Sequence, residues 1–123
     1  MPAILILDDS ATMVMSLSRI LKNAGYDVET AANGRDGMAK ITGGLKPCVI
    51  LTDLNMPHMD GIAFIKEARR NPSTRFTPIL MLTTESAANK REEARAAGAS
   101  GWLSKPTQPS DLLTTLKQLL PSK

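Results

Sequence analysis

Short runs of apolar residues alternate along this chain with stretches in which apolar residues recur at helical spacing, five times in succession. Ala3-Ile4-Leu5-Ile6-Leu7, Cys48-Val49-Ile50-Leu51 and Ile79-Leu80-Met81-Leu82 are unbroken apolar runs of strand length. Unbroken runs, in place of polar–apolar alternation, mark strands covered on both faces, as in a parallel sheet. Asp27–Ala31 and Gly101–Ser104 are weaker strand candidates, and the alternation in the first reads as a sheet edge. Between the strands, Met13, Leu17, Ile20, Leu21 and Ala24 share one helical face, with Gly25 placed to end the helix. Gly34–Thr42 is a short helix stopped by Gly43-Gly44. Ile62–Arg69 carries Ile62, Ile65 and Ala68 on one side, and Ala87–Ala97 runs to Gly98. The last helix is the plainest: Leu112, Leu113, Leu116, Leu119 and Leu120 are in phase, and Pro109 is pre-set at its first turn.

Five βα units in 123 residues predict one α/β domain over residues 1–123, a doubly wound parallel sheet with right-handed crossovers. In such sheets ligands bind beyond the carboxyl ends of the strands, where strand order reverses. The residues there are Asp8-Asp9-Ser10 after the first strand, Asp53 after the third, Thr83 after the fourth and Lys105 after the fifth.

Composition changes this picture little. With 42% hydrophobic and 22% charged residues the chain reads as an ordinary globular protein. No apolar run approaches the ~20 residues that span a bilayer, and Ala3–Leu7 lacks the basic leader of a signal peptide, so membrane insertion is not expected and the cytoplasm is the default location. Cys48, the only cysteine, allows neither an internal disulfide nor a thiolate metal cluster and reads as a small core residue. The net charge of +3 raises nucleic acid as a partner, but the basic residues are scattered, Arg69-Arg70 being the longest basic run. With so few aromatics besides, no nucleic-acid partner is expected.

The strand-end residues decide more. Three carboxylates gathered at one edge repel one another unless a cation joins them or some are protonated. An oxygen-only ligand set with no His or Cys selects a hard cation, and a site with few carboxylates suits Mg²⁺. One carboxylate can then act as a nucleophile toward phosphorus, with Lys105 and the Thr83 hydroxyl available to the phosphoryl oxygens. Taken singly, each residue has a plainer reading: Ser10 caps the first helix, Asp53 opens a turn, Thr83 ends a strand. Their joint placement at the carboxyl ends favours a site. His58, with no partner at ligand spacing, reads as a solvated loop residue, and Lys90-Arg91-Glu92-Glu93 as a solvated helix face.

The motifs Asp8-Asp9-Ser10, Thr52-Asp53-Leu54-Asn55-Met56-Pro57, Asp60-Gly61, Thr83-Thr84 and Lys105-Pro106, with Gly98–Leu103 ahead of the lysine, resemble those of the response-regulator receiver domain. The likeness is to single-domain chemotaxis regulators of the CheY type and covers essentially the whole chain. It implies a flavodoxin-like fold with five helices and strand order 2-1-3-4-5. It also implies that Asp53 is the phosphoacceptor, with Asp53, Thr83 and Lys105 as the reacting set. Mg²⁺ would be held by Asp9, Asp53 and the Asn55 backbone carbonyl, with Asp8 acting mainly through a bound water. The bond to Pro106 is usually cis in the family, which aims the lysine inward. Thr83 and the aromatic position, here Trp102, would form the switch, and Asn55 and Glu85 would tune dephosphorylation. The chain is then not an enzyme in the usual sense, although it assists its own phosphorylation and dephosphorylation.

The implied partners are a sensor histidine kinase of the CheA kind and a downstream target such as a flagellar motor switch protein, the chain itself acting as a monomer. Only Pro121-Ser122-Lys123 follow the last helix, so no output domain is expected. A phosphate sink or relay intermediate in another two-component pathway is the alternative role. The sequence departs from the family's usual residues at Trp102, Thr84, Thr107 and Gln108, which bears on the amplitude of the switch. Two other classes fit less well. A haloacid-dehalogenase-type phosphatase needs a second aspartate two residues after its nucleophile, where Asn55 stands. A nucleotide-binding module needs a glycine-rich turn where Asp8-Asp9-Ser10 stands.

Overall fold

The computed structural model describes residues 3–83, 88–105 and 107–120. Five strands, β1 (Ala3–Leu7), β2 (Asp27–Ala31), β3 (Val49–Thr52), β4 (Ile79–Thr83) and β5 (Gly101–Ser104), alternate with five helices. The helices are α1 (Ala11–Asn23), α2 (Gly34–Thr42), α3 (Gly61–Arg70), α4 (Ala88–Ala97) and α5 (Pro109–Leu119). All neighbouring strands are parallel, in the order β2-β1-β3-β4-β5 that the family resemblance implies.

The period of two along each strand sorts the core into two layers. Ile4, Ile6, Val49, Leu51, Leu80 and Leu82 face Leu17 and Leu21 of α1 and Leu112 and Leu116 of α5. Leu5, Leu7, Ile50, Ile79 and Met81 face the other way, onto Phe64, Ile65 and Ala68 of α3, Ile41 of α2 and Ala94 of α4. Covering both faces is why β1, β3 and β4 tolerate no polar residue until their carboxyl ends. There the apolar run stops at Asp8, Thr52 and Thr83, all three buried.

Edges are less demanding. Strand β2 alternates in burial as its sequence alternates, and β5, the opposite edge, is only half covered. The third strand begins at Val49, one residue later than its apolar run; Cys48 is half-buried, and its N–H donates to the carbonyl of Ala3 (2.8 Å). The Ala87 start expected for the fourth helix lies outside the described residues.

Helix ends follow local chemistry. The Ser10 hydroxyl accepts from the Met13 N–H (3.3 Å), as expected, and Asn33 and Asp60 cap α2 and α3 in the same way. Gly25 and Gly98 take positive φ just past α1 and α4, a conformation that favours glycine. Helix α5 has no side-chain cap; Pro109 at its start leaves one fewer N–H to satisfy.

Candidate functional site

Parallel strands with short βα loops bring Asp8, Asp9, Asp53, Thr83 and Lys105 to one edge of the sheet. Register fixes the arrangement: Leu7 stands opposite Thr52, and Thr83 opposite Ser104, so the residues that follow share one level. The Asp53 N–H donates to the Leu7 carbonyl (2.8 Å) and the Lys105 N–H to the Thr83 carbonyl (2.9 Å), which extends both ladders into the site. One carboxylate oxygen from each of Asp8, Asp9 and Asp53 lies within 4.8 Å of the others. The carboxylates expected to meet do meet.

Their environments differ. Asp8 is buried; one of its oxygens accepts from the Ser10 N–H (2.9 Å) and the other from Lys105 Nζ (2.6 Å). Lys105 Nζ also stands 3.3 Å from Asp53 Oδ1, so one ammonium bridges two aspartates that follow β1 and β3. Asp9 is exposed and faces solvent. The Asp53 carboxyl is pushed above the ordinary carboxylate range, chiefly by burial, with Asp8 adding repulsion; Lys105 and the Leu54 N–H pull the other way.

A raised carboxyl pKa has a definite sign for stability. The folded chain holds the Asp53 proton more tightly than the unfolded one, so stability falls as pH climbs through the interval just above the ordinary carboxylate value. Asp53→Asn removes that loss. In urea titrations without divalent metal, the advantage of the variant over the wild type should grow from acid toward neutral pH and then level off. An advantage that is flat or shrinking would contradict this cause.

The loop after β3 shows how Asp53 is held. The Thr52 hydroxyl donates to the Asp53 carbonyl (3.0 Å), and the Gly61 N–H donates to the Leu54 carbonyl (2.8 Å), folding the loop back on its own start. A Cβ at Gly61 would overlap the Asp53 carbonyl oxygen, so only glycine lets α3 begin this close to the acid. Asp60 then caps α3 (2.8 Å to the Ala63 N–H). The pair Asp60-Gly61 is therefore part of the site's scaffold, a role its dipeptide pattern did not reveal. His58, exposed and at φ 69°, is a loop residue, as the sequence suggests.

Asn55 is exposed in the same loop, and Thr83 is buried at the end of β4. Trp102 lies in β5, half-buried against the α3–α4 side of the core, with Arg91 stacked 5.5 Å from its ring centroid. Its indole nitrogen is buried without a hydrogen-bond partner among the described residues. Thr84, Glu85 and Pro106 lie outside the described residues.

The family model described as "Response regulator receiver domain" matches residues 4–117. The chain belongs to the response-regulator receiver family. The chemotaxis protein CheY4 of Vibrio cholerae superposes with a TM-score of 0.93 at 47% identity, covering 98% of this chain and 99% of that one. Protein PilG of Pseudomonas aeruginosa is 32% identical over 97% of this chain and 87% of its own length. The receiver domain of the sensor histidine kinase PA1611 of Pseudomonas aeruginosa, at 26% identity and a TM-score of 0.89 over 98% of this chain and 98% of that one, was solved with a magnesium ion coordinated in its active-site cleft. Like other receiver domains, this chain is a signalling module and not a classical enzyme. No helix among the described residues is long and apolar enough to cross a membrane.

The donor set here fits Mg²⁺: three carboxylates within reach of one ion, no His or Cys among them, and one of them exposed to solvent.

Proposed function

We propose that this receiver takes a phosphoryl group on Asp53 from a histidine kinase and thereby changes its affinity for a downstream protein, in a chemotaxis-type pathway. One observation carries the reading: Lys105 Nζ stands 3.3 Å from Asp53 Oδ1, and Asp8 and Asp9 lie close enough for one cation to join all three acids. A carboxylate so placed can act as a nucleophile toward phosphorus once a cation offsets its neighbours' charge.

In the transfer, a carboxylate oxygen of Asp53 forms the new bond to phosphorus as the phosphohistidine P–N bond breaks, and the electron pair leaves with the imidazole. Asp8, Asp9, Asp53 and the Asn55 carbonyl would hold Mg²⁺, which when bound supplies charge neutralisation for the phosphoryl oxygens. Lys105, now shared between Asp8 and Asp53, would turn its ammonium to the phosphoryl group as the added charge outcompetes Asp8. Thr83 at the end of β4 would donate its hydroxyl to a further oxygen. The added group carries roughly −1.5 to −2 charge, enough to bias a two-state surface through Thr83 and Trp102. Asn55 and Glu85 would set how readily water reaches the acyl phosphate.

The chemotaxis assignment draws on the likeness to CheY4, and the upstream kinase and motor-type target follow from it. A relay or phosphate-sink role uses the same site chemistry and is the second reading.

Trp102 is the only tryptophan, so its emission reports on this domain alone. Acetyl phosphate with Mg²⁺ should change that emission reversibly, and chelating the metal beforehand should remove the response. An identical change with the metal chelated would break the link between phosphorylation and switch.

A further inference from the structure

The edge of the sheet opposite the acids carries an unusual feature. Phe76, in the α3–β4 loop, is 87% exposed; among the described residues only Met15 is another large apolar side chain left so open. An isolated exposed apolar residue needs no explanation. What sets Phe76 apart is the rigidity of the loop that presents it.

Arg69 reaches under this loop from the end of α3. Its guanidinium donates to the carbonyls of Thr74 (3.0 Å), Arg75 (3.2 Å) and Thr77 (2.7 Å), and also to the Gly98 carbonyl (2.7 Å) beyond α4. The buried Thr74 hydroxyl donates to the Ala68 carbonyl (2.6 Å), and the Asn71 side chain accepts from the Ser73 N–H (2.9 Å). The Ile50 N–H donates to the Pro78 carbonyl (2.9 Å), tying the loop to the start of β3. A loop held this closely loses little further entropy when something docks on it.

Its charge is one-sided. The Arg75 guanidinium stacks 5.4 Å from the Phe76 ring centroid and is exposed with no carboxylate partner among the described residues. Arg70 follows on α3, its charge met among the described residues only by Glu67 in an exposed pair, and Lys46 stands exposed just before β3 on the same edge. We propose that the Arg75–Phe76 tip is a docking surface for a protein partner that offers an apolar pocket rimmed by carboxylates. Aromatic and arginine side chains are the types that dominate binding energy at protein interfaces, and the uncompensated positive charge selects an acidic rim. A lipid surface is disfavoured, since a single ring buries too little apolar area to anchor a domain. The surface is independent of the Asp53 site, which lies at the other edge.

The test places a photo-crosslinker at the tip (Phe76→p-benzoylphenylalanine) in the cell that encodes the protein, with Lys66→p-benzoylphenylalanine, on exposed α3 surface, as control. The captured protein is then purified and titrated calorimetrically with the wild-type chain, Phe76→Ala and Arg75→Glu. Both side chains are exposed, so neither variant disturbs the core. The proposal expects capture specific to position 76, binding that weakens with salt, and a loss of about thirtyfold or more in each variant. It is overturned by capture equal at both positions or absent, by crosslinking of the chain to itself, by binding that neither variant weakens, or by sedimentation of the wild type with phosphatidylglycerol vesicles in place of a protein.

Discussion

Asp53→Asn is expected to abolish phosphoryl uptake from acetyl phosphate while leaving the fold intact. The amide keeps the shape of the carboxylate but lacks the charged oxygen that attacks phosphorus, so the loss should be complete. Asp8→Asn and Asp9→Asn should behave differently. They remove charge that would hold the metal, so uptake should slow and require more Mg²⁺ without vanishing. Intact-mass measurement after incubation with acetyl phosphate distinguishes these outcomes in one series. Without metal, Asp53→Asn should also be the more stable protein at neutral pH, because burial and Asp8 both disfavour the carboxylate it replaces. A site built for a charged group is strained until that charge is matched.

Phe64→Ala should produce the largest loss of stability of any single truncation in α3, about 3–5 kcal/mol by analogy with other buried Phe truncations. The ring is fully buried and belongs to the layer that packs α3 on β1, β3 and β4. A Cβ at Gly37 of α2 would stand only 3.3 Å from its edge and closer still to Leu7, so the ring also sets how near α2 approaches. The strand residues of this layer, fixed by parallel ladders, can move little into the gap. Urea denaturation of the variant checks the value. A loss below about 1 kcal/mol would show that the layer relaxes, contrary to the close packing described.

The fold was legible because the physics of a doubly covered sheet is local. Ile4–Leu7, Val49–Leu51 and Ile79–Leu82 must be apolar on both faces, and that need is written as unbroken runs. The site was legible for a related reason: polar residues at the ends of such runs, as at Asp8, Asp53 and Thr83, have few places to go except the carboxyl edge. Strand order came from the family likeness, as no local signal encodes which strand lies beside which.

Other features depend on neighbours distant in sequence. That Lys105 pairs with Asp8 across 97 residues, and only then with Asp53, is a property of the assembled edge. Gly61 as the gap that admits the Asp53 carbonyl, and Arg69 as the clamp that joins the loop after α3 to Gly98, each need a partner that the linear pattern does not name. Trp102 occupies the half-covered edge strand the resemblance assigned it. Its buried N–H, unpaired among the described residues and a cost a phenylalanine would not carry, emerged only from the packing.

Whether Asp53 itself carries the phosphoryl group can be read chemically. Sodium borohydride reduces an acyl phosphate to an alcohol, so a phosphorylated aspartate becomes homoserine and keeps a record of its position. The wild-type protein, incubated with acetyl phosphate and Mg²⁺, reduced and digested, should yield homoserine at position 53 and at no other aspartate. Homoserine at position 8 or 9, or an unaltered peptide around Asp53 in protein that had taken up phosphate, would contradict the account.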